Sequence, residues 1–419
     1  MSTTLVLLLL LDNGGALTLQ NGDHELAVNS LAVVVVVVVA VVLVVFYKKA
    51  VSLVPLGPIS GSLAAGPGLP AGFPRAVDSP LVWEGAQFEN EKEYVLHMHE
   101  ADVEEANNAL RCFKEFGRQG YEVSRDTFPL PNLGKRLEAL KLEIHQGRGF
   151  GVVRGLHPEK YSVEDLSMLQ LGLQCYIANR HGRQDRKGNM MVHIIADDSS
   201  AAAAGHHRHS TNPITFHNEE AGDVVSWMTR STAASGGRCI IASCYTVYNV
   251  LAQDRPDLLR VLAGADWPFA LPQFQSRPIL FHHEGRLMMN FGRTPLIGNQ
   301  THPRCESLPS LSERQLEALD AVEKIARATE LAITTKPGDL HFINNLAVLH
   351  RRQGFVDGAA AAEKRHLVRM RLRDDQLGWA LPDELRNEWY QAFDEHRRSK
   401  VWHLVPMPPG YYPLRAQPN

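Results

Sequence analysis

Residues 213–227 read PITFHNEEAGDVVSW: an apolar run, a polar kink and a second apolar run. In an extended strand residues i and i+2 share a face, so His217 and Glu219 point into one space while Asn218 points away. An imidazole and a carboxylate so placed suit a metal ion, but two ligands do not make a site. Glu220 and Asp223 lie close enough to compete with Glu219 for the carboxylate role. The segment KPGDLHFINNLAVLHRR (336–352) offers a third ligand, His350, just past an apolar run. Two histidines and one carboxylate form the facial set that holds Fe(II) and leaves other coordination positions open.

The same strand rhythm runs outward in both directions. Upstream, GRGFGVVRGL (147–156) reads as a strand between glycine turns, and downstream GRCIIAS, PILFHH and GRLMMNF read as further short strands. Helical spacing appears at Val103, Ala106, Leu110 and Phe113, and again at Leu137, Leu140 and Ile144. Ser162 with Asp165, and Ser312 with Gln315, mark two further helix starts. A last helix carries Leu385, Trp389 and Phe393. Helices followed by many short strands argue for a mainly β domain with flanking helices (α+β), a sandwich or jelly roll. A doubly wound nucleotide fold is disfavoured, since neither GxGxxG nor GxxxxGK[ST] occurs.

Composition narrows the function class. Apolar residues make up 44% and charged residues 21% of the 419, enough for a substantial core. A net charge of -3 gives no reason to expect a nucleic-acid partner, and no protein partner is indicated. The five cysteines are scattered and odd in number, which favours a reducing compartment and leaves histidine and carboxylate as the metal candidates. His206, His207 and His209 fall in an aperiodic loop and are expected at an exposed tip.

Residues 31–47 (LAVVVVVVVAVVLVVFY) belong to another regime. As a helix they would span roughly 26 Å at 1.5 Å per residue, just short of a hydrocarbon core of about 30 Å, and Ala27 and Val28 would extend them. Acidic residues before and Lys48-Lys49 after predict a single-pass anchor with a cytoplasmic catalytic domain. Valine-rich sequence is equally β-prone; without a true anchor the protein is expected to be soluble and cytoplasmic. The expected organisation is an N-terminal segment 1–30, the span 31–47, a Gly/Pro-rich linker 48–80 and a catalytic domain 81–419.

The stretch RHLVRMRLR (365–373) alternates strictly: Arg365, Leu367, Arg369 and Arg371 share one face, and His366, Val368, Met370 and Leu372 the other. Interior arginines are costly unless each meets an anion. Arg365 is the natural bidentate partner for a carboxylate, such as the far carboxylate of 2-oxoglutarate.

Taken together, His217-x-Glu219, a distal His350, Arg365 and Arg369 resemble the TauD/TfdA-like family of iron- and 2-oxoglutarate-dependent dioxygenases over roughly residues 85–405. Glu in place of the commoner Asp is similar to the clavaminate synthase-like branch. The resemblance implies a double-stranded β-helix, Fe(II) on His217, Glu219 and His350, and 2-oxoglutarate and O2 as cosubstrates. It implies that Arg365 clamps 2-oxoglutarate. Cys239 stands where the family commonly has a Ser or Thr hydroxyl that helps hold this acid, and Ser243 is the substitute. Arg369, Asn249 and Arg293 are the candidates for substrate contact, and Asn344 and Asn345 are further cavity candidates. The implied reaction oxidises an unactivated C–H bond, hydroxylation first, of a small molecule for which cavity arginines favour a carboxylate. The rival reading is a catalytically silent, membrane-tethered scaffold or sensor.

Overall fold

The structure, a computed structural model, describes residues 8–11, 17–21, 24–28, 68–196, 209–299, 303–394, 400–402 and 404. The chain divides into two compact units, Met1–Ala65 and Gly66–Asn419. In the first, β1 (Leu8–Leu11), β2 (Leu17–Asn21) and β3 (His24–Val28) form an antiparallel sheet. Residues 31–47 lie outside the described residues. Their assignment as a membrane span is corrected on two grounds. No helix among the described residues is long and apolar enough to cross a membrane. Ala27 and Val28, which would lengthen such a helix, belong instead to β3, as the strand preference of β-branched residues favours. The membrane partner and the single-pass topology with a cytoplasmic domain fall with the span.

In the second unit, β4 (Val95–His97) leads into α1 (Glu100–Glu115) and α2 (Leu133–His145), then β5 (Phe150–Arg154) and α3 (Val163–Gln174). Next come β6 (Arg180–Gly182), β7 (Val192–Ile195), β8 (Ile214–His217), β9 (Val224–Ser231), β10 (Ser235–Gly236) and β11 (Cys239–Ser243). Helices α4 (Cys244–Asp254) and α5 (Pro256–Leu262) precede four short strands, β12 (Trp267–Phe269), β13 (Gln275–Arg277), β14 (Leu280–His283) and β15 (Arg286–Met289). After α6 (Thr294–Ile297) and α7 (Glu313–Ala328) run β16 (Leu331–Ile333), β17 (Leu340–Asn344), β18 (Val348–Arg352) and β19 (Phe355–Val356). Strand β20 (His366–Arg373) and α8 (Asp383–Phe393) close the order.

Two sheets carry the site. The larger has seven strands in the order β4-β5-β17-β9-β20-β6, with β7 also paired to β20; the smaller runs β16-β11-β18-β8. Alternation along β20 explains how the larger sheet packs. Val368, Met370 and Leu372 enter a core with Ala106, Leu137 and Leu169 of α1, α2 and α3. Leu367 belongs to the other core, and Arg365, Leu367 and Arg369 line a cavity on that side.

The mainly β jelly-roll, double-stranded β-helix expectation is corrected to an α+β fold with mixed sheets. Among the described residues helix outweighs strand, and neither sheet closes into a barrel. The physical reason is that most strands are too short to wrap. Helices α4, α5 and α7 pack against one another, and α4 and α7 against β11, covering surface that further strands would otherwise cover. The expected helix starts hold locally: the Ser162 hydroxyl accepts from Asp165 N at 3.0 Å, and Ser312 and Gln315 form a reciprocal capping box.

Candidate metal centre

His217 ends β8, and its strand partner across β18 is His350, next to a register shift between His350 and Arg352. The two imidazoles thus lie side by side, ring centroids 4.2 Å apart. Leaving the strand, the chain turns Glu219 inward. Its Oε1 sits 4.0 Å from His217 Nε2 and 3.9 Å from His350 Nε2, and one ligand atom from each residue lies within 4.8 Å of the others. Small side-chain rotations would let all three reach one ion at about 2.0–2.2 Å. His217 Nδ1 donates to Thr215 O at 2.9 Å, which leaves Nε2 as the ligating nitrogen. Asparagines fix the turn. Asn345 Oδ1 accepts from Glu219 N at 2.7 Å while Asn345 Nδ2 donates to Glu219 O at 3.0 Å, and Asn290 Nδ2 donates to the same carbonyl at 3.1 Å. Asn218, pointing away as its position requires, donates to Asn345 O and Val348 O.

The competing carboxylates go elsewhere. Glu220 pairs with Arg371 at 3.0 Å. Asp223 accepts from Arg373 Nη1 at 2.8 Å and from Trp389 Nε1 at 2.6 Å, and burial, outweighing these donors, pushes its pKa up to about 6.

The arginines of β20 differ sharply. Arg369 donates through Nη1 to Glu219 and through Nε and Nη2 to Gln184 Oε1, at 3.2 and 3.0 Å. Arg371 lies 3.5 Å from the other Glu219 oxygen. Arg365 is 8% exposed; among the described residues no side chain or carbonyl accepts from its guanidinium, which lies over the Phe355 ring at 5.3 Å. Burial pulls its pKa down to about 10. The turn before β11 makes room for it. Gly236 and Gly237 take left-handed φ of 75° and 70°, and a Cβ at Gly237 would stand 3.1 Å from Arg365 Cδ. The triad, Arg365, Arg369, Cys239, Trp227 and Leu367 line one cavity.

Other expected residues are placed apart from this cavity. Cys239 does line it, beside Arg365, but burial pushes its thiol up to about 12, so it stays neutral and a weak donor. The Ser243 hydroxyl caps α4, accepting from Tyr245 N and Thr246 N, and donates to Leu81 O. The Asn249 amide holds Val77 N and O at 2.8 and 2.9 Å. Arg293 pairs with Asp320 at 2.7 Å. His209, expected at an exposed tip, is fully buried, its Nδ1 donating to Ile195 O at 3.0 Å; His206 and His207 lie outside the described residues. Trp227, which lines the cavity, and Gln184, which accepts from Arg369, are residues that the sequence reading missed. Gln184 sits in a polar loop with no local signal, whereas Trp227 faces inward by the same period-two count that placed the arginines.

Residues 89–371 match the model of the taurine catabolism dioxygenase TauD, TfdA family. The chain belongs to the TauD/TfdA family. It is 34% identical over 344 residues to the taurine hydroxylase-like protein SAT17 of Stachybotrys chartarum, covering 79% of this chain and 89% of that protein. It is 24% identical over 319 residues to FR-33289 synthase of Streptomyces rubellomurinus, covering 71% and 90%. Among solved structures, an asparagine oxygenase in complex with Fe(II), 3-hydroxyasparagine and succinate shares the fold with a TM-score of 0.54 at 15% identity, covering 69% of this chain and 99% of that one. The TauD/TfdA family member described here is a non-haem iron dioxygenase that uses 2-oxoglutarate and O2 on a small substrate. The donor set fits that cofactor. Two imidazoles and a carboxylate converge, and a buried guanidinium with no acceptor among the described residues faces the same cavity.

Proposed function

We propose that His217, Glu219 and His350 hold Fe(II), and that Arg365 binds the far carboxylate of 2-oxoglutarate while its keto-acid end reaches the metal. The single observation behind this reading is Arg365. A cation buried without an acceptor is costly, and a dicarboxylate spanning from the triad to Arg365 removes that cost. Phe355 and the Gly236-Gly237 turn orient the guanidinium, and Cys239 closes the wall beside it as a neutral thiol. When bound, iron and 2-oxoglutarate supply the oxidising chemistry: one oxygen atom of O2 ends in succinate, formed with CO2, and the other in the oxidised substrate.

Around that chemistry the chain's own residues position and exclude water. Arg369 and Arg371 hold the two oxygens of Glu219, and the asparagine network fixes its backbone. The reaction is hydroxylation of an unactivated C–H bond, carried by residues 81–419. Titrating 2-oxoglutarate anaerobically into the Fe(II)-loaded protein tests the assignment through the metal-to-ligand charge-transfer band. Arg365→Ala is expected to weaken apparent affinity at least about tenfold, the loss of a buried charge-assisted contact. Wild-type affinity in that variant would show that Arg365 is not the clamp.

A further inference from the structure

Four arginines line the cavity beside the triad, and three of them already have acceptors inside the protein. All three side-chain nitrogens of Arg369 are engaged, by Glu219 and Gln184. Arg351 forms a bidentate pair with Glu330 at 2.8 and 2.6 Å. Arg352 donates to the carbonyls of Ser210, at 2.7 Å, and Asn212. Arg365 remains, and the reading above gives it to 2-oxoglutarate. Among the described residues the rest of the wall is Ile194, Ile214, Val225, Trp227 and Leu367, with Cys239 as a neutral thiol. The one carboxylate among the described lining residues, Glu219, belongs to the triad.

We infer that the molecule oxidised here is neutral and largely apolar, held by burial against this wall and not by an ion pair. The inference rests on the assignment of Arg365 to 2-oxoglutarate. An anionic headgroup would have two options, and both are unfavourable. It could draw Arg369 away from Gln184, whose fully buried Oε1 accepts two of its bonds, a costly change. Or it could lie against isoleucine and leucine with its charge uncompensated. A neutral substrate meets neither difficulty. Ile194 on β7 and Leu367 on β20 are cross-strand partners and present a continuous apolar patch. Ile194 and Ile214 are both partly exposed and so stand where an entering molecule first meets the cavity.

The test uses the full chain with Fe(II) and 2-oxoglutarate under anaerobic conditions. Calorimetric titration compares three probes of one shape: cyclohexanecarboxamide, cyclohexanecarboxylate and cyclohexanesulfonate. The carboxamide is expected to bind at least about tenfold more tightly than either anion. Ile194→Lys adds a cation at the mouth and is expected to shift the preference towards the anions. Ile214→Lys repeats the test from the opposite sheet should the first variant misfold. A wild-type protein that prefers an anion, binds all three equally, or binds none overturns the inference. Failure of the charge-transfer band to form in the wild type overturns instead the reading of Arg365 on which it rests.

Discussion

Arg365 and Arg369 stand four residues apart on one strand face, yet their surroundings are opposite. Arg369 is satisfied by Glu219 and Gln184, whereas Arg365 has a guanidinium buried over Phe355 with its pKa drawn down to about 10. At neutral pH Arg365 is still charged, so the ligand-free fold bears the cost of burying it. Arg365→Met is therefore expected to stabilise the ligand-free protein by about 1–3 kcal/mol and to abolish the rise in melting temperature that 2-oxoglutarate gives the wild type. A variant less stable than wild type in both states would contradict this. Arg369→Ala should instead weaken Fe(II) affinity roughly 10- to 100-fold, as loss of an outer partner of a metal ligand does, with 2-oxoglutarate binding preserved at saturating metal. Equilibrium metal titration against a competing chelator checks it. The convergence of His217, Glu219 and His350 was legible from residue chemistry and spacing, although Glu219 lies past the end of β8 and is turned inward by its asparagine partners and not by strand period. The pairing of Arg369 with Glu219 was not, because spacing along a strand does not report where a long side chain ends.

At the level of elements, Ser243 and Asp223 show how a residue near the motif serves the scaffold. Ser243 caps α4 through two backbone amides, so Ser243→Ala should cost about 1–2 kcal/mol of stability and leave 2-oxoglutarate affinity unchanged. Chemical denaturation alongside ligand titration separates the two effects; a loss of affinity at unchanged stability would return Ser243 to the site. Asp223 is buried against Arg373 and Trp389 with its pKa raised to about 6 from 3.8. A raised pKa means the fold favours the protonated acid, so this contribution is complete below about pH 4 and is lost as pH rises through 6. Stability of Asp223→Asn relative to wild type should accordingly increase by up to about 3 kcal/mol between pH 4 and pH 7; a constant difference would refute the assignment. Strands and caps could be read because period and capping chemistry are local. Whether strands β8 and β9, seven residues apart, join one sheet or two is not local, and the sequence pattern is the same for both. That is why the closed jelly roll was expected and two open sheets were found.

For the molecule as a whole, the boundary of the catalytic unit is the testable point. Residues beyond Gly66 are tied to α4 and α5: Arg260 Nε donates to Gly68 O, the Tyr248 hydroxyl to Pro74 O, and Asn249 brackets Val77. Removing residues 1–65 should therefore leave 2-oxoglutarate turnover near wild type. Removing 1–80 should lower the melting temperature by several degrees, as loss of about 1–3 kcal/mol does in a domain of this size. Equal stability of the two truncations would show that these contacts carry nothing. A different consequence follows from the order of the smaller sheet. β8 is its edge strand, held on one side by β18 alone, and an edge is where backbone amides open first. The two imidazoles that would share a metal ion belong to these two strands, so the ion would act as a clasp across the last seam of the sheet. Amide hydrogen exchange at residues 214–217 should then slow on adding a redox-inert divalent ion with no cosubstrate present, making the strand's opening rate a direct gauge of whether the centre is loaded.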